Sequence, residues 1–130
     1  MDIKELKPTS IWHYFDVITG VPRPSKKEER IREFLLNFAK EQNLEVKVDK
    51  TGNVVITKEA TPGCEGAPTV ILQAHMDMVC EKNGDVKHDF ERDPIETYID
   101  GEWVKARGTT LGADNGIGMP EKKLLTIFER

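Results

Sequence analysis

Cysteine is scarce, with only Cys64 and Cys80 in 130 residues. No Cys-x-x-Cys pair is present, so a thiolate zinc site has no support, and free thiols are the expectation in a reducing compartment. Cys80 lies near the motif described below, but a lone intracellular cysteine is usually a packing residue. No apolar run is long enough to cross a bilayer. The start, Met1-Asp2-Ile3-Lys4-Glu5-Leu6-Lys7, lacks the apolar stretch of a secretory signal. Basic excess is missing too: 19 Lys and Arg stand against 23 Asp and Glu, a net charge of −4. Neutralising phosphates needs a basic surface, so nucleic acid is a poor partner. These absences predict a cytoplasmic protein with neither nucleic-acid nor membrane partners. Internal repeats and low-complexity segments are also lacking. What remains is 38% hydrophobic and 32% charged, in a chain the size of one domain.

Helical and strand periods alternate along the chain. Ile11, Phe15 and Ile18 recur at helical spacing, with Ser10 placed to cap the helix. Gly20-Val21-Pro22-Arg23-Pro24 breaks the chain. Ser25-Lys26-Lys27-Glu28 fits a capping box, and Ile31, Phe34, Leu35 and Phe38 then form one stripe of a helix ending near Asn43. The period switches at Leu44, Val46 and Val48, which alternate with polar residues. Thr51-Gly52-Asn53 turns the chain into Val54-Val55-Ile56, completing a hairpin. After a loop over 61–68, Val70-Ile71-Leu72 is a continuous apolar run, as expected of a strand buried on both faces. A second hairpin is predicted with Asp100-Gly101 between Glu96–Ile99 and Glu102–Lys105, Tyr98 and Trp103 packing across it. A glycine-rich loop spans 108–118, and Leu124, Leu125 and Phe128 suggest a last helix. The mixture points to an α/β architecture with a largely buried central sheet.

Two segments could carry chemistry. Gln73-Ala74-His75-Met76-Asp77-Met78 directly follows the apolar run, and catalytic groups in open α/β sheets gather at the carboxyl ends of strands. There, His75 can bind a metal through one ring nitrogen while Asp77 accepts a hydrogen bond from the other. Both can instead ligate one ion, or His75 can be a satisfied, partly buried histidine with Asp77 capping a turn. His13 and His88 are weaker candidates, one on an ordinary helix and the other in a polar loop. The glycine-rich loop contains neither Gly-x-Gly-x-x-Gly nor a Walker ending, so phosphate cradling has little support. Asp114 in that loop is either a functional acid or, with Asn115, a cap for the next helix.

Together the segments gain specificity. Leu72-Gln73-Ala74-His75-Met76-Asp77-Met78-Val79 resembles the first metal motif of the carboxypeptidase, aminoacylase and di/tripeptidase superfamily of cocatalytic zinc enzymes. The stretch from Tyr98 to Gly118, with its Asp-Gly-Glu-Trp hairpin and Thr-Thr-Leu-Gly-Ala-Asp-Asn loop, resembles the region carrying the bridging aspartate in Xaa-His dipeptidases (aminoacyl-histidine dipeptidases, peptidase D). His88-Asp89-Phe90 and Asp93-Pro94-Ile95 strengthen that subfamily. The similarity covers residues 6–119 and leaves 120–130 as a divergent tail.

The resemblance implies a three-layer α/β sandwich with a central mixed sheet, of which residues 1–130 are the amino-terminal part. It implies two zinc ions, or other divalent metals in their place. His75 would ligate one ion, Asp77 would orient His75 as a catalytic residue, and Asp114 would bridge both ions. The family reaction is hydrolysis of a dipeptide, often with carboxyl-terminal histidine, by a metal-activated water with a glutamate as general base.

The sequence departs from the pattern after Gly118. The family's Glu-Glu pair, general base and ligand, does not follow, and Met119-Pro120-Glu121-Lys122-Lys123 stands where small helix formers are expected. A further acidic ligand, a carboxyl-terminal histidine ligand and the lid domain are also absent. A catalytic zinc normally has three protein ligands, so weak metal binding and little or no hydrolysis are expected of this chain alone. Missing sheet neighbours predict an exposed apolar edge and a homo-oligomer. The alternatives are a non-enzymatic interaction module derived from such an enzyme, or another superfamily member such as a tripeptidase or aminoacylase.

Overall fold

The two predicted apolar stripes become two packed helices in the computed structural model, which describes residues 2–121. Helix α1 (Thr9–Thr19) buries Phe15 and Ile18, and α2 (Glu29–Glu41) buries Ile31 and Ala39. One edge-to-face ring pair ties them, Tyr14 with Phe38 at 6.1 Å between centroids, while Trp12 and Phe15 pair at 5.9 Å within α1. Ile18, Ile31 and Met119 form the buried cluster, against which Val21, Phe34, Ala74 and Met76 pack. Fully burying such a side chain contributes roughly 1.5–3 kcal/mol.

Both helix starts differ from expectation. Pro8, not Ser10, flanks α1, and its carbonyl accepts the first helical hydrogen bond from the Trp12 N–H. Helix α2 begins at Glu29 without a side-chain cap. The predicted capping box does not form, because the Ser25 hydroxyl is drawn to Asp77 and the Glu28 carboxylate accepts from the Lys26 N–H. The end of α2 is as expected. Asn43 takes a left-handed φ of 54°, and the Leu44 N–H donates to the Ala39 carbonyl, closing the last turn.

Strands β1 (Glu45–Val48) and β2 (Val54–Thr57) form the first antiparallel hairpin. Its turn is held by Asp49, whose carboxylate accepts from Thr51 and Asn53. Strands β3 (Thr97–Asp100) and β4 (Trp103–Ala106) form the second. Here the two-residue connection is Gly101-Glu102, one position later than predicted, with Gly101 at φ 61° in the first turn position. The shift places Trp103 opposite Asp100 and Tyr98 opposite Lys105. Trp103 is largely exposed, and the Tyr98 ring lies against the Arg107 guanidinium instead.

The two hairpins remain separate two-stranded sheets, and no central mixed sheet joins them among the described residues. Val70-Ile71-Leu72 corrects the prediction of a strand buried on both faces. It lies outside any ladder, and its residues are 67%, 86% and 42% exposed. A buried strand needs a hydrogen-bonded neighbour at each edge and a layer on each face, and the described residues supply neither to this stretch. The next segment fares differently. Met78 forms a parallel bridge with Pro24, and Lys82 an antiparallel bridge with Thr109.

The predicted glycine-rich loop of 108–118 itself contains a single turn, α3 (Ala113–Gly116), and a second turn, α4 (Gly118–Glu121), starts at its end after a break at Ile117. Pro120 falls in the first turn of α4, where its missing N–H is tolerated. The helix expected from Leu124, Leu125 and Phe128 lies outside the described residues.

Candidate metal centre

From residue 74 onward the chain is extended and its side chains alternate. Ala74 and Met76 pack on the helical core and Met78 is buried. His75 and Asp77 therefore face the other way, as period two requires. The His75 Nδ1 lies 3.0 Å from Asp77 Oδ1 and 3.1 Å from the Asp77 carbonyl oxygen. Both neighbours are acceptors, so Nδ1 carries the proton. On the far side of the ring, Nε2 lies 3.0 Å from Asp114 Oδ1. The sequence-predicted trio is thus brought together, although Asp114 is 39 residues from His75.

Asp77 is held from behind. Its Oδ2 accepts a 2.6 Å hydrogen bond from the Ser25 hydroxyl, which lies 3.1 Å from the Met78 carbonyl as well. That hydroxyl is the main reason the Asp77 carboxyl stays below the usual carboxylate range, with the His75 charge adding to it and partial burial opposing. The hydrogen bond to Asp114 is the largest cause of a raised His75 pKa, helped by the Asp77 carbonyl and carboxylate. Asp114 itself is almost free in solvent, its side chain 98% exposed. It stands in α3 with extended-type dihedrals (φ −91°, ψ 102°), and the Asp114–Asn115 peptide is cis. Gly112, in the left-handed region at φ 72°, leads into this turn.

Over 118 residues, 91% of its length, the chain is 53% identical to the cytosol non-specific dipeptidase of Escherichia coli (strain K12), and it covers 24% of that protein. Its backbone matches the crystal structure of aminoacylhistidine dipeptidase from Vibrio alginolyticus with a TM-score of 0.92 at 52% identity. That match covers 100% of this chain and 26% of the other. Both of these relatives are dipeptidases by name. No family model matches the chain. It spans about a quarter of the length of each of these relatives.

The donor types beside this dipeptidase likeness suit a divalent metal. An imidazole nitrogen and a carboxylate oxygen are ordinary zinc ligands. The Nε2–Asp114 contact adds a test. With the proton on Nδ1, a neutral ring would aim its Nε2 lone pair at a carboxylate oxygen, and two acceptors at 3.0 Å repel. A proton on Nε2 or on the Asp114 carboxyl, or a cation between the two groups, relieves that repulsion. The donor number is smaller than the donor type suggests: among the described residues, no group of three or more His, Cys, Asp and Glu side chains could hold a metal ion.

Other candidates stay apart. The His13 ring lies beside Tyr14, and His88 lies edge-on to Phe90 with its Nε2 buried, rather than solvated as its polar loop predicts. Cys64 is exposed, while half-buried Cys80 points its thiol at the Met78 carbonyl and has its pKa raised by burial. An open apolar groove between α1 and the second hairpin, lined by Trp12, Ile99, Trp103 and Leu111, includes none of the trio. Sequence reasoning missed two residues at the centre, Ser25 and Arg23. Ser25 was hidden by its fit to a helix cap. Arg23 sits in a Pro-x-Pro break, where a single charged side chain gives no periodic signal of burial.

Proposed function

We propose that the chain contributes part of the zinc centre of a dipeptidase acting on Xaa-His and related dipeptides. The observation that supports this most is the His75 ring, held at Nδ1 by Asp77 and aimed through Nε2 at Asp114. Asp77 fixes the tautomer and raises the basicity of the ring, so that Nε2 is free to ligate. Ser25 keeps Asp77 ionised and in place. Asp114, with a side chain 98% exposed, is suited to bridging two ions. When bound, the ions would polarise the scissile carbonyl and activate a water.

The centre is incomplete in this reading. No Glu-Glu pair follows Gly118, so the chain offers no counterpart to the family's general base. Two direct ligands shared between two ions fall short of three per catalytic zinc. Zinc binding by the chain alone is therefore weak, and hydrolysis slight or nil. Further dipeptidase chain would complete a three-layer sandwich, with Val70-Ile71-Leu72 as an inner strand of its mixed sheet. A cytoplasmic location is supported by the name of the Escherichia coli relative, a cytosol dipeptidase. A second reading, a non-enzymatic module that self-associates, draws on the exposure of Val70, Ile71, Leu72 and Val79.

Hydrolysis of β-alanyl-histidine, with added zinc and a His75→Ala control, tests the proposal. Activity absent from a folded chain supports the incomplete centre. Strong zinc-dependent turnover that the control loses would refute incompleteness and show that association supplies the missing ligands.

A further inference from the structure

Arg23 is one of the most buried residues of the molecule, 1% exposed, although it carries a full charge. Its Nη1 lies 3.3 Å from the Met76 carbonyl and 3.1 Å from the Asp77 carbonyl, and its Nη2 donates to the Gly112 carbonyl at 2.6 Å. These acceptors belong to two different segments. Met76 and Asp77 lie on the strand-like stretch that carries His75, and Gly112 opens the turn that carries Asp114. The main chain of Arg23 joins the same stretch, its carbonyl accepting from the Met78 N–H at 3.0 Å.

The surroundings are shaped for this guanidinium. A Cβ on Gly112 or on Gly116 would come within 2.6 Å of Nη2. Both glycines flank Asp114, and both leave the space the guanidinium fills. Stability alone does not explain the arrangement. The Nε is buried without a partner, and burial outweighs nearby Asp77 and Cys80 in lowering the Arg23 pKa. Apolar replacements of buried charged groups are often as stable or more so. What a guanidinium provides is a rigid fork whose two ends bind different acceptors, which a lysine ammonium cannot reproduce.

We propose that Arg23 is a positioning residue that clamps the His75–Asp77 segment to the Asp114 turn and so sets the ligand spacing before any metal arrives. The proposal rests on the metal-centre reading. Loss of such an orienting partner typically weakens metal binding about 10- to 100-fold.

The test uses the whole chain, labelled with 15N, and the long-range 1H–15N signals of its imidazole rings. Spectra are taken metal-free at a fixed pH of about 9, well above the ordinary imidazole value. Wild-type His75 should show one tautomer, protonated at Nδ1. In Arg23→Lys it should shift toward the mixture of a free imidazole, while His13 and His88 stay unmoved and far-UV dichroism is retained. Zinc titrated into the same proteins near neutral pH, where it stays in solution, should move the His75 Nε2 signal, with the variant responding at least about 10-fold more weakly. Gly116→Ala, which crowds the guanidinium without removing it, should shift His75 in the same direction. A folded Arg23→Lys whose His75 signals and zinc response match wild type overturns the clamp. Unfolding of both variants also overturns it, since Arg23 would then be a general strut. A wild-type ring indifferent to zinc refutes the metal-centre reading instead, and the metal-free tautomers still decide the clamp.

Discussion

Residues 70–72 and 74–78 adjoin in the chain and meet opposite fates. Val70-Ile71-Leu72 is the more apolar and stands largely in solvent, while Ala74, Met76 and Met78 turn inward to the core and His75 and Asp77 turn outward. The difference is one of neighbours. The second stretch has Arg23-Pro24-Ser25 along one side, with Ser25 N–H donating to the Met78 carbonyl at 3.2 Å. Just beyond, the Thr110 hydroxyl donates to the Val79 carbonyl at 2.7 Å. The first stretch has no ladder partner among the described residues. Hydrophobicity makes burial favourable, but a strand is buried only where something is there to bury it.

The sharpest test of this contrast is a pair of equal truncations. Ile31→Ala removes a fully buried side chain from the contact with Ile18 and Met119. It should cost about 2–5 kcal/mol, the range for aliphatic core truncations, read as a lowered urea midpoint. Ile71→Ala removes the same atoms from solvent and should stay within about 0.5 kcal/mol of wild type. Comparable losses at the two sites would mean that Ile71 is buried in solution and the contrast is false.

The sequence carried much of this, unevenly. The helices and both hairpins were legible because each buries one stripe or one face, and that burial imprints a period. The alternation in Ala74-His75-Met76-Asp77-Met78 was there to be read too, and it fixes which side chains face the site. Residues 70–72 misled because a continuous apolar run records a need for neighbours and does not reveal whether the same stretch of chain provides them. Arg23 and Ser25 were illegible for another reason. Their partners are the carbonyls of Met76, Asp77 and Gly112 and the Asp77 carboxylate, all far along the chain. Local pattern contains no trace of such contacts, and Ser25 even matched a competing local rule.

The docked stretch can be loosened by smaller steps. Ser25→Ala removes one charge-assisted hydrogen bond to Asp77. Such bonds contribute roughly 1.5–3 kcal/mol when sheltered, and partial exposure here reduces the expected loss to about 1 kcal/mol. Urea unfolding would measure it, and no loss would detach Ser25 from the account. A fainter effect comes from pH in the metal-free chain. The folded state raises the His75 pKa, chiefly through Asp114, so protonation of His75 favours folding. That contribution is fully present below the unfolded value of about 6.5 and is lost as pH rises through the folded value. The wild-type advantage over His75→Gln should therefore shrink between mildly acidic and alkaline pH. An advantage that instead grows with pH would reverse the assigned partnership.

The smallest effect on stability belongs to the exposed stretch, where the expected change is in association. Val70, Ile71, Leu72 and Val79 present exposed apolar side chains, and residues 70–72 lie in no ladder among the described residues, the kind of surface that recruits another strand. Sedimentation of the wild-type chain should show concentration-dependent self-association. Ile71→Lys should shift the population toward monomer with an unchanged urea midpoint, because an edge lysine opposes strand pairing without touching the core. Association that survives the substitution would move the contact elsewhere, and the groove bordered by largely exposed Trp103 would be the next surface to test. Association that disappears would mean the two adjoining stretches differ only in what covers them, and that a second molecule can be the cover.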